Sequence, residues 1–172
     1  MARFDLFQDK KDRPRIRPDR TTLDWIIELL TINALLAGLG HALWVLPTLP
    51  ATIGSTIDAN GQPIPGDPSW TILLMPSLAV VLCALLWFFQ RYPWMANTPV
   101  VITPENAERQ YRLLNRLLRS TGLVLAGTFG LISYETIQVA QGAQGFGPAW
   151  LALLVLEVII LPWYVIRSVQ LA

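Results

Sequence analysis

Residues 70–89 read WTILLMPSLAVVLCALLWFF, twenty positions without one charged side chain. A helix rises about 1.5 Å per residue, so this stretch is about 30 Å long, the thickness of a bilayer's hydrocarbon. In a soluble bundle, polar residues would recur on one face about every 3.6 positions, and here none do. The stretch reads as a membrane span. Three further runs share its character: residues 25–46, interrupted by Glu28, Asn33 and His41; residues 120–140, with Glu135 as their one charge; and residues 148–166, with Glu157 and Pro162. The whole chain of 172 residues is 53% apolar and 15% charged, against about 25% charge in soluble domains.

The thirteen Lys and Arg are placed unevenly. Seven fall in residues 1–22, none in 47–68, five in 91–119, none in 141–147, and the last is Arg167. The positive-inside rule then puts both termini and the 91–119 loop in the cytoplasm and the other two loops outside. The seven tryptophans, at 25, 44, 70, 87, 94, 150 and 163, lie near the ends of the runs, where amphipathic rings favour the headgroup layer. The expected fold is an all-α integral membrane protein. Its core is a four-transmembrane-helix bundle over residues 23–170, with residues 1–22 as a polar, basic cytoplasmic tail kept on the mature chain.

The connections carry their own signals. Thr21 with Asp24 three residues on predicts a helix start. Asn60-Gly61 predicts a turn that closes a short hairpin, limited by Pro63, Pro65 and Pro68. Gly145-Phe146-Gly147-Pro148 reads as a tight outer turn with Pro148 opening span four. Between spans two and three, Thr103 and Pro104 predict another helix start. At about 100° per residue, Ala107, Tyr111, Leu114 and Leu118 share one face and Arg109, Arg112, Arg116 and Arg119 the other. This pattern predicts an amphipathic helix on the inner leaflet, its arginines against anionic headgroups.

The segment Arg91-Tyr92-Pro93 to Asn97-Thr98-Pro99-Val100, continued by Ile102-Thr103-Pro104-Glu105-Asn106-Ala107-Glu108-Arg109-Gln110-Tyr111, resembles an uncharacterised bacterial membrane-domain family. The same family is shared with the N-terminal part of sporulation-delay immunity proteins, which are multi-spanning proteins conferring resistance to a secreted toxin. Leu46-Pro47, Pro50 and Ile57-Asp58-Ala59-Asn60-Gly61-Gln62-Pro63 are similar to the family's outer-loop segment. The resemblance covers about residues 30–140. It implies a multi-pass protein of the bacterial cytoplasmic (inner) membrane, and an accessory or immunity-type role.

Inside the spans, ionisable groups should face the bundle interior and find partners. Asn33, His41, Glu135 and Glu157 are the intramembrane polar candidates. By depth they predict two layers, His41 with Glu135 and Asn33 with Glu157. Ala34, Gly38 and Ala42 on span one, and Gly122, Ala126 and Gly130 on span three, form small-residue faces that predict close packing of these two helices. The polar layers read either as hydrogen bonds fixing helix register or as a proton or ion relay through the glutamates. His41 alone reads as a possible axial ligand for a chlorophyll-type pigment or a haem.

Other classes are excluded on composition. A net charge of +1 does not suit a nucleic-acid partner. One Cys and one His exclude an internal disulfide and multi-ligand metal sites. No phosphate-binding glycine loop or nucleophile elbow occurs. The reading is a non-enzymatic membrane protein without metal or resident cofactor, whose partners are the bilayer and other membrane proteins.

Overall fold

The computed structural model describes residues 9–143 and 149–171. Helix α1 spans Thr22–Val45 and opens with the predicted capping box: the Thr21 hydroxyl accepts from the Asp24 backbone N–H, and the Asp24 carboxylate accepts from that of Thr21. A single tight turn, Ser69–Leu73, leads into α2, Leu74–Arg91. Pro76 falls in the first turn of α2, where its missing N–H costs nothing. Helix α3 runs unbroken over Ala107–Ala140, and α4 over Ala149–Gln170 with Pro162 inside it. Among the described residues these four helices are long and apolar enough to cross a bilayer. The predicted turn at Gly145–Pro148 lies outside the described residues.

Strands β1 (Thr52–Ile57) and β2 (Pro63–Pro68) pair antiparallel around the predicted Asn60-Gly61 turn. Gly61 has φ +79°, open to glycine without strain. The Asp58 carboxylate accepts from the backbone N–H groups of Asn60 (2.8 Å) and Gln62 (2.9 Å). Those bonds hold its carboxyl below the usual aspartate range, the Gln62 contact first. The hairpin caps one end of the bundle. Its Ile53 packs with Ala42 and Val45 of α1, Ile72, and Ile137 of α3, while the Ser133 hydroxyl donates to the Ile72 carbonyl at 3.3 Å.

Helix α3 is the axis. It carries the main contacts to α1, α2 and α4, whereas α1 and α4 touch at most marginally. At 1.5 Å per residue it is about 51 Å long, roughly 20 Å more than the hydrocarbon needs. The surplus is its arginine-bearing first third, and here the structure corrects three expectations. The helix begins at Ala107 with Asn106 as its cap, because residues 103–106 form a turn in which the Thr103 N–H donates to the Asn106 side chain. Residues 107–119 and the span belong to one continuous helix.

The third correction concerns what covers the apolar face. Ala107 and Tyr111 pack on Ile102 and Trp94, while Leu114 and Leu118 join Leu113, Tyr164 and Leu171. The chain's own loop and the end of α4 take the place assigned to lipid. A buried pair fastens that contact: the Gln110 amide donates to the Ser168 carbonyl (2.8 Å), and the Ser168 hydroxyl donates to the Gln110 carbonyl oxygen (2.7 Å). Ser168→Ala leaves that oxygen buried and unpaired. Its expected cost is about 1–3 kcal/mol, read as an earlier unfolding midpoint in detergent.

Nor is the N-terminal segment a free tail. Arg13 is 3% exposed and donates to the Ala96 carbonyl at 2.6 Å. Arg17 donates to the Arg91 carbonyl at 3.0 Å, with its guanidinium over the rings of Tyr92 and Trp94. Residues 13–20 thus form an extended strap across the arginine-bearing end. Pro14 and Pro18 keep it extended.

Candidate functional site

The predicted α1–α3 contact forms as its small residues dictate. A Cβ on Gly38 would lie 3.2 Å from the Gly130 Cα, so the two backbones touch where only hydrogens fit. Ala42 and Ala126 are fully buried beside them. Gly122 sits farther along, where a Cβ would meet Leu86 and Cys83 of α2 as well as Thr31 of α1. The Cys83 thiol donates to its carbonyl at 3.4 Å. Gly122 therefore seats three helices.

Because α1 and α4 lean on different sides of α3, the small-residue surface is only partly covered. What remains is an open groove of about 390 Å³ lined by Ala34, Ala37, Gly38 and His41 from α1 and Ala126, Gly127, Gly130, Leu131 and Tyr134 from α3. The His41 and Tyr134 rings meet at 5.5 Å, tilted by 39°. Among the described lining residues they form the only polar part of a wall that is otherwise aliphatic.

The predicted polar layers do not form. His41 meets Tyr134 rather than Glu135, which is the next residue on α3 and so points about 100° away. Glu135 is half-buried, with one carboxylate oxygen enclosed and unbonded. Asn33 is exposed on the outer side of α1, and its amide donates to the Leu29 carbonyl one turn back at 2.8 Å. That bond satisfies one donor without any neighbouring helix. Glu157 instead accepts from the Thr121 hydroxyl of α3 at 2.6 Å.

The arginine face divides. Arg109, Arg112 and Arg116 stay on the outer side, where with Leu113 and Leu171 they line a recess of about 140 Å³. Arg112 pairs with Glu108 at 2.6 Å. Arg119, about 60° further round the helix than Arg116, turns inward and is 5% exposed. Its guanidinium pairs with Asp24 (2.9 Å), itself 1% exposed, and approaches Glu28 at 3.9 Å, while Glu28 also pairs with Arg20 at 2.9 Å. Arg119 is thus an internal tie between α1 and α3, contrary to its assignment to the leaflet.

Reading by spans missed this cluster, although its signal is present. Asp24 and Glu28 are four residues apart, hence on one helix face, and Arg119 immediately precedes span three at the same end. Among the described residues no three His, Cys, Asp or Glu side chains converge as a metal ion would require. Compared with protein-family models, curated protein sequences and solved structures, the chain finds no significant match.

Proposed function

We propose that this protein is a non-enzymatic, multi-pass protein of the bacterial inner membrane, with both termini cytoplasmic. It acts as an accessory, structural or immunity-type module by packing against the transmembrane helix of a partner. The topology rests on the distribution of basic residues. The immunity-type role, and membership of the membrane-domain family, rest on the motif at residues 91–111. The observation that carries the reading is the groove between α1 and α3. Small side chains let a helix approach closely enough for backbone contact, which is how helices associate where lipid is as apolar as protein. His41 offers such a helix a hydrogen bond.

A photo-crosslinking side chain at Ala37, in the groove, should yield a discrete protein adduct in intact membranes. The same group at Val158, 72% exposed on α4, should yield lipid adducts alone. Lipid adducts from both positions would overturn the reading.

Binding of a flat apolar pigment or haem is favoured by one feature, the only imidazole of the chain lining an apolar groove. A visible absorption band in the purified protein, lost in His41→Leu, would establish it. A proton relay has less support, because Glu157 is bonded to Thr121, which lies fourteen residues and about 21 Å along α3 from Glu135.

A further inference from the structure

Three arginines line the recess at the outer side of α3, and their pairing is incomplete. Arg112 is partnered by the exposed Glu108, but among the described residues no ion pair or hydrogen bond engages the guanidinium of Arg109 or Arg116. Arg116 and Arg112 are half-buried, each with an enclosed, unbonded Nε. Arg116 feels the Asp24 carboxylate only at a distance and shares it with Arg119, which holds that carboxylate at 2.9 Å, so positive charge is in excess around a space of about 140 Å³ and favours an anion there. Forked guanidinium donors converging on one recess suit a phosphate group, whose oxygens accept paired N–H bonds.

We propose that this recess binds the phosphate of an inner-leaflet lipid. The proposal rests on the membrane topology given above. If residues 120–140 fill the hydrocarbon, Arg116 lies about 6 Å beyond its edge, within the headgroup layer, and Arg112 about 12 Å beyond it, on the water side of that layer and within reach of it through a long side chain. Leu113 and Leu171 supply an apolar floor against which the glycerol of a lipid headgroup can rest. A soluble anion would have no use for that floor. The strap does not compete for the site, since Arg13 and Arg17 engage Ala96 and Arg91.

The test uses the full chain in neutral detergent micelles, titrated with short-chain phosphatidic acid, with phosphatidylcholine and with inorganic phosphate. Binding is read by native mass spectrometry as lipid retained per chain. Phosphatidic acid should saturate at one per chain, and Arg109→Gln/Arg116→Gln should weaken it about 30-fold, at about 1 kcal/mol for each arginine. Lys10→Gln/Lys11→Gln removes the same charge from two exposed residues just before the strap and should change binding less than about twofold if the recess, rather than the general field, is responsible. Equal losses in both double variants would overturn the site, as would failure of phosphatidic acid to saturate. Inorganic phosphate competing at equal concentration would overturn the lipid as its occupant. Flotation of wild type with vesicles separates these outcomes from a failure of the topology: a chain that does not float overturns the membrane reading itself.

Discussion

Arg119→Gln should be the most damaging single substitution in the protein. The Asp24 carboxylate is 1% exposed, and Arg119 is the cation in contact with it. Glu28 would keep its partner in Arg20 at 2.9 Å, and one Asp24 oxygen would keep its bonds from Thr21. The other oxygen would be left charged, buried and facing a neutral amide. Breaking a buried pair in this way costs about 3–5 kcal/mol, a large part of the 5–15 kcal/mol that holds a typical fold together. The variant should aggregate on extraction, or unfold at a much lower fraction of denaturing detergent. A lost charge and a lost pair are separable: Asp24→Leu/Arg119→Leu removes both partners and should be more stable than either single change, because two apolar side chains replace two desolvated ions. If Arg119→Gln unfolds with wild type, or the double variant is as weak as the sum of the singles, the pair does not hold α1 to α3.

Much of this architecture could be read from residue order alone, and the reason is specific to apolar helices. Length and absence of charge mark a span, the Thr21–Asp24 box marks where α1 starts, and small residues at four-residue spacing identified the faces through which α1 and α3 meet. What escaped was the choice of neighbour. Depth along a helix follows from counting, and counting alone pairs His41 with Glu135. Contact also needs the right azimuth, and that depends on which side of α3 each helix occupies. Asn33 shows the same limit, since an amide that bonds its own helix one turn back needs no interior partner. Amphipathicity likewise reports that residues 107–119 have an apolar face without saying what covers it. Residues 94–102 and the end of α4 outcompeted lipid there because Gln110 and Ser168 supply a paired polar contact alongside the apolar one. The strap was illegible for a further reason: Arg13 and Arg17 bond to carbonyls of Ala96 and Arg91, acceptors that every residue possesses.

Gly38→Leu should separate α1 from α3 where Gly40→Leu does nothing. The two glycines lie two residues apart on the same helix, with the same intrinsic penalty in a helix interior. Their surroundings differ: a Cβ on Gly40 meets nothing within 4 Å, whereas one on Gly38 lies 3.2 Å from the Gly130 Cα. Because the obstacle is backbone, no rotamer change can relieve it, and a leucine adds three carbons beyond that first clash. Overpacking of this kind costs about 1–3 kcal/mol, and displacing α1 also forfeits the contacts of Ala34 and Ala42. The expected result is a loss of about 3 kcal/mol or more in detergent unfolding for Gly38→Leu, and a midpoint for Gly40→Leu equal to or above wild type, since leucine outranks glycine as a helix former. Gly130→Leu faces the same contact from α3 and should match Gly38→Leu in direction. Because both glycines line the groove, the same variants should also lose the protein adduct formed from Ala37. A Gly38→Leu protein that keeps the wild-type midpoint would mean that the close approach of α1 and α3 contributes nothing, and the groove built on it would fall with it.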